Sequence, residues 1–188
     1  MKPAVVIVDM LKDTLEGAHP MPIKELGREI VPAINRLTGF ARERSLPVIF
    51  SMDSFVPGDF IFQGKMKNHS IRGTKGAEVT DLLTQAETDY YSPKRRFSAF
   101  YKTDIDHTLR LFGADTVVLC GIATHWCVLS SAFDALSNDF RVVILEDCCA
   151  SFTPEIHTGC LELYRKNAIY PLLRVMTLEA FLAEVQGP

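Results

Sequence analysis

Short apolar runs alternate along this chain with longer stretches in which apolar residues recur every three or four positions. The first run, AVVIV at Ala4–Val8, is continuous and β-branched, the pattern of a strand covered on both faces. PVIFSM at Pro47–Met52, TVVLCG at Thr116–Gly121 and RVVILED at Arg141–Asp147 repeat that pattern. TDYYS leading into Lys94 and LLRVM at Leu172–Met176 are weaker strands. Between them, Ile30, Ile34, Leu37 and Ala41 fall on one helical face, with Pro32 in the first turn. Thr103 and Asp106 have the spacing of a capping box, and Gly113 suits the other end of that helix. Thr153 as N-cap and Pro154 at the first helical position open another, and TLEAFLAEV forms a short last helix. Strands alternating with helices predict an α/β fold: three layers, α/β/α, around a mostly parallel sheet of about six strands. Residues 1–188 are expected to form a single domain. Asp53–Lys75 is the one long irregular stretch, a length more often functional than idle.

Composition narrows the partners. A formal net charge of −3 gives no general reason to expect nucleic acid or an anionic membrane. The apolar run before Asp9 is too short for a signal-peptide core, and no segment reaches the length of a membrane span. The expectation is a cytoplasmic protein whose cysteines are reduced thiols. Cys120, Cys127, Cys148, Cys149 and Cys160 are odd in number and lack zinc-ligand spacing. Cys120 reads as strand core, Cys148 and Cys149 as packing residues after a strand end, and Cys160 as helix core.

Candidate chemistry lies where strands end, because ligands of open α/β sheets bind outside the carboxyl ends of strands. Asp9 follows the first strand, Lys94 ends the third, and Cys127 follows the glycine that ends the fourth. A cysteine near a helix N-terminus is favoured as thiolate. A neighbouring lysine would add to that, and an aspartate would accept and return its proton. His125 and Trp126 precede the cysteine and have either a pocket or a structural role. His19, His107 and His157 read as ordinary polar residues. Lys65, Lys67, Arg72 and Lys75 read as a solvated lid surface, or as an attraction for a substrate carboxylate. Arg95 and Arg96 read as surface residues.

With VVIVDML around Asp9, KRRFSAFYKTDI around Lys94, VVLCGIATHWCVLSSAFDA around Cys127 and VVILEDCCASFTPEIH beyond it, the chain resembles the isochorismatase-like cysteine hydrolases, the superfamily of nicotinamidases and N-carbamoyl amidohydrolases. The resemblance runs nearly the whole length. It implies a catalytic triad of Asp9, Lys94 and Cys127, and a non-proline cis peptide between Ile122 and Ala123. It implies an oxyanion hole from the backbone N–H groups of Ala123 and Cys127. The implied reaction is hydrolysis of a C–N bond in a small amide, ureido or carbamoyl compound, through a thioester and with release of ammonia. A homo-oligomer is implied as well.

Two departures from the family pattern matter. Nicotinamidases carry a metal-binding Asp-x-His with a second histidine downstream; here Asp53 matches and His69 is a candidate for the downstream ligand, but Phe55 stands at the first histidine. The expectation is no tightly bound metal and no cofactor, with Phe55 and Trp126 as pocket walls, and nicotinamide becomes a less favoured substrate. Isochorismatases proper have glycine where this chain has Cys127, which disfavours vinyl-ether hydrolysis, although His125 echoes their form of the motif. A peroxide-responsive thiol protein, with Cys148 or Cys149 resolving Cys127, and a non-catalytic interaction module are the other readings.

Overall fold

A computed structural model describes residues 1–18 and 21–187, so His19 lies outside the described residues. Six strands are present, each where the pattern predicts one: β1 (Pro3–Val8), β2 (Val48–Asp53), β3 (Tyr90–Lys94), β4 (Thr116–Ile122), β5 (Arg141–Ala150) and β6 (Leu173–Met176). They form one sheet in the order β3-β2-β1-β4-β5-β6, and every pairing is parallel. The helices are α1 (Lys12–Leu15), α2 (Lys24–Glu29), α3 (Val31–Glu43), α4 (Ile105–Leu111), α5 (Leu129–Ser137), α6 (Pro154–Arg165) and α7 (Leu178–Gln186). One apolar core packs α3 and α7 through Ile34, Leu37 and Phe181 against Val5, Ile7 and Val118. The other packs α4, α5 and α6 through Leu109, Ala132 and Leu161 against Val6, Val8 and Leu119. Alternate residues of the same strands serve opposite cores, which is why β1 and β4 are apolar at every position.

Some local readings change. β5 runs through Cys148 and Cys149 to Ala150, past a register shift between Leu119 and Gly121, so both cysteines are in the strand rather than after it. The N-cap of α4 is Asp104; the Thr103 hydroxyl instead donates to the Ala99 carbonyl at 2.5 Å, joining two turns of the preceding loop. α6 does begin at the Thr153 cap, whose hydroxyl oxygen accepts from the Ile156 N–H at 3.3 Å. That helix buries Leu161 alone, so Cys160 is half-exposed rather than core. The Asp53–Lys75 stretch contains a short 3₁₀ turn at Phe60–Gln63 and a parallel bridge between Phe55 and Ile71. Among the described residues, no helix is long and apolar enough to cross a membrane.

The strand order reverses between β1 and β4, and the crevice above that reversal is the ligand-binding position of this kind of sheet. Gly121 stands at its edge with φ +106°, opposite Val8. A Cβ there would lie 2.2 Å from the Val8 carbonyl oxygen. Gly121→Ala is therefore expected to lose about 3 kcal/mol or more, by denaturant unfolding, from backbone strain plus a clash that only separation of the central strands relieves.

Candidate active site

Three strand ends bring their polar residues together. Asp53 and Lys94 are register partners at the ends of β2 and β3, and Asp9 follows β1 in a left-handed conformation, φ 53°. The Asp53 backbone N–H donates to Asp9 Oδ1 at 2.8 Å and aims that carboxylate. Lys94 Nζ donates to Asp9 Oδ2 at 2.8 Å and makes a short bond to Asp53 Oδ1. The Cys127 sulfur lies 3.7 Å from the same ammonium. The lysine is only 1 % exposed, so a surface reading of it does not hold.

Burial works against the Lys94 ammonium, but the charges of Asp53, Asp9 and Cys127 override it and raise its pKa far above the ordinary lysine value. Burial, reinforced by Asp9, pushes Asp53 up to about 7 against the pull of Lys94. Burial also pushes the Cys127 thiol well above its usual range; Lys94 pulls the other way, and the two aspartates add to the rise. The direction of that shift opposes the sequence expectation of a favoured thiolate. Dehydration and two nearby carboxylates outweigh one lysine.

Asp53 has a consequence for folding. The folded carboxyl holds its proton up to about pH 7, whereas the unfolded one gives it up near pH 4. Stability should therefore fall as pH climbs between those values. Asp53→Asn is expected to flatten that slope, measured by urea unfolding at about pH 5 and about pH 8.

Cys127 sits in a π-helical turn, Thr124–Val128, that leads into α5, rather than in the α-helix itself. The turn is held from several sides. The Ser131 hydroxyl, fully buried, donates to the Cys127 carbonyl at 2.6 Å and accepts from the Ala99 N–H at 2.8 Å, tying the cysteine to the loop after Lys94. Thr124 Oγ1 donates to the Ala150 carbonyl at 3.0 Å and lies 2.8 Å from His157 Nδ1. His125 Nδ1 is hydrogen-bonded to the buried Ser151 hydroxyl. Burial lowers the pKa of both histidines. Sequence reading left His157 as an ordinary polar residue and missed Ser131; nothing in local spacing marks a residue whose partners come from other loops. The Ile122–Ala123 peptide is cis, and the Ala123 N–H has no hydrogen-bond partner among the described residues.

A cavity of about 560 Å³ opens beside Asp9, Asp53 and Cys127, within the size range of small-molecule sites. Its walls are largely apolar and include Phe55, Phe97, Trp126 and Phe152. Phe55 is buried, with its ring edge-on to Phe62 and His69. Trp126 packs on Phe97 and Phe152, and His125 turns away toward Ser151. Lys65 and Lys67 line the cavity, whereas Arg72 bonds Ser54 and Lys75 lies in a second 3₁₀ turn. Arg95 and Arg96, read as surface residues, both reach the buried Asp59 carboxylate of the long loop. These contacts, Arg95 foremost, hold Asp59 far below the usual carboxylate range. They fasten the loop to the residues following Lys94.

The residues at the family's metal position do not fit a metal ion. Phe55 offers no ligand atom and faces His69 with its ring. The His69 Nδ1–H donates to the Lys67 carbonyl at 2.8 Å. Asp53 is engaged by Lys94. A ligand atom of Asp9, of Asp53 and of Cys127 all lie within 4.8 Å of one another, but the Lys94 ammonium sits among them as the cation.

The parallel sheet, its switch-point crevice and the carboxylate–ammonium–thiol cluster are features of a hydrolase-type α/β site. The chain belongs to the isochorismatase family: the Isochorismatase domain model matches residues 3–179. This is a family of hydrolytic, amidase-type enzymes. A curated relative from Arabidopsis thaliana, described as a probable inactive nicotinamidase, is 34% identical over 83% of this chain and 84% of its own. An isochorismatase-like hydrolase from Alkaliphilus metalliredigens superposes with TM-score 0.85 at 31% identity, covering 97% of this chain and 98% of that one. The N-carbamoylsarcosine amidase of Thermoplasma acidophilum superposes with TM-score 0.81 at 31% identity, covering 95% and 98%.

Proposed function

We propose that residues 1–188 act as one catalytic domain, a cysteine amidohydrolase that cleaves the C–N bond of a small amide, ureido or carbamoyl compound and releases ammonia. The observation that carries this reading is the convergence of a thiol, an ammonium and a carboxylate at one cavity, with Lys94 Nζ 2.8 Å from Asp9 and 3.7 Å from Cys127. The unpaired Ala123 N–H beside them supports an oxyanion hole completed by the Cys127 N–H. The likeness to an N-carbamoylsarcosine amidase supports the class of bond.

The chemistry follows from those groups. Asp9 takes the Cys127 proton as the sulfur attacks the substrate carbonyl, so the thiolate forms only when it is used. Lys94 stabilises the charge that develops on sulfur as its proton leaves, and the two N–H groups receive the oxyanion. The tetrahedral intermediate collapses as Asp9 returns the proton to the leaving nitrogen, giving ammonia and a thioester. Asp9 then deprotonates a water that attacks the thioester; the carboxylic or carbamic acid leaves, and the proton returns to sulfur. No step requires a metal or cofactor. A homo-oligomer and a cytoplasmic location belong to the same proposal.

The redox reading has less support. Cys148 belongs to the core on the opposite face of the sheet from Cys127, and the Cys149 thiol donates to the Leu119 carbonyl. The test of function is ammonia release from a panel containing nicotinamide, pyrazinamide, N-carbamoylsarcosine and ureidoacrylate, with Cys127→Ala as control. Cys127-dependent release from one compound supports the amidohydrolase; release that survives in the variant sinks it.

A further inference from the structure

We propose that Asp13 selects the substrate of this cavity by accepting a hydrogen bond from an amine or ammonium group carried away from the cleaved carbonyl. The inference rests on the cavity being the substrate site, as in the function proposed above. Asp13 lies in the single turn of α1, four residues beyond Asp9, and its side chain lines the cavity. It is not part of the Lys94 cluster. Its Oδ2 accepts from the Ser70 N–H at 2.7 Å.

Gly76 fixes the group from another side. A Cβ at Gly76 would lie 2.1–2.2 Å from all three carboxyl atoms of Asp13, so the carboxylate rests directly on the bare glycine backbone. The side chain is thus set in one position by a hydrogen bond and by a close contact that only glycine permits. Its second oxygen, Oδ1, has no hydrogen-bond partner among the described residues. No described cation pairs with Asp13, including Lys65 and Lys67, which line the same cavity.

A purely structural role, satisfying Ser70, needs one oxygen. Asp13 lines the cavity together with Phe55, Ile61, Phe97, Trp126 and Phe152. A few fixed polar groups in an apolar cavity are what set ligand orientation and specificity. A charge-assisted N–H···O bond supplies about a tenfold preference or more.

The test uses equilibrium binding, by calorimetry, to the Cys127→Ala protein. The probes are benzamide and 3-(aminomethyl)benzamide, which differ by one ammonium-bearing arm. The second is expected to bind about tenfold more tightly or better. Adding Asp13→Asn, which keeps the shape and an acceptor for Ser70, should remove the preference and leave benzamide affinity unchanged. Gly76→Ala, which displaces the carboxylate without altering its chemistry, should reduce the preference too, and serves as the second variant if Asp13→Asn does not fold. Equal affinities in the Cys127→Ala protein, no binding of either probe, equal weakening of both by Asp13→Asn, or a preference that survives it would each overturn the proposal. The two readings fail separately. Silence of the wild type on the amide panel with the binding preference intact removes the amidohydrolase alone. Turnover without the preference removes the Asp13 assignment alone.

Discussion

Cys127→Ala should lower turnover of any accepted amide by on the order of 10⁴-fold or more, because it removes the nucleophile of the proposed mechanism. The sulfur lies 3.7 Å from the Lys94 ammonium, within a cluster whose partners are already oriented by backbone bonds. The variant should keep its fold, since a cysteine-to-alanine change at a site 7 % exposed beside an open cavity removes one atom from a space solvent can reach. Asp9→Asn should lose a comparable factor, since asparagine cannot take the thiol proton. The double variant should lose little more than either single one, as residues acting in one step are not additive. Steady-state ammonia release, with Tm recorded beside it, checks all three. A Cys127→Ala enzyme within tenfold of wild type would remove the cysteine mechanism. Full activity of Asp9→Asn would require another base.

The second large effect is on stability. Lys94→Met is expected to cost about 3–5 kcal/mol near pH 8, the penalty for leaving buried charges without their partner. Asp9 and Asp53 both bond that ammonium, which is fully buried, and no other described cation reaches them. The pH dependence has a definite sign. Asp53 stands at about 7 with the lysine present, and removing a positive charge can only raise a carboxyl pKa. The folded variant therefore binds protons that the unfolded chain releases near pH 4, so its stability recovers as pH falls from neutral toward that value. Urea unfolding of wild type and variant across that range checks it. A loss that is independent of pH would mean that the lysine's packing, not its charge, matters here.

Lys94 and Asp53 also mark how far sequence reading reaches. Lys94 was legible because it ends a strand inside a specific motif. Asp53 was legible only as a would-be metal ligand, because the residue two positions on is what the family pattern tests. Its bond to Lys94 depends on β2 pairing in register with β3, and the two residues are 41 positions apart. Ser131, His157 and Asp59 were missed for the same reason. Each is an unremarkable polar residue locally, and each gains its role from a loop delivered by another strand.

All six strands, the α/β class and the three polar strand ends were determined by the sequence alone. Apolar periodicity reports directly on which faces must leave water, and polar residues placed directly after buried runs are forced to the rim. Tertiary structure decided the rest. Strand order brought Asp9, Asp53, Lys94 and Cys127 to one crevice. The surroundings that act on the thiol, burial and two aspartates on one side and the Lys94 ammonium on the other, were likewise assembled only by the fold. Dehydration is a property of everything surrounding a group, and no stretch of sequence contains its own surroundings.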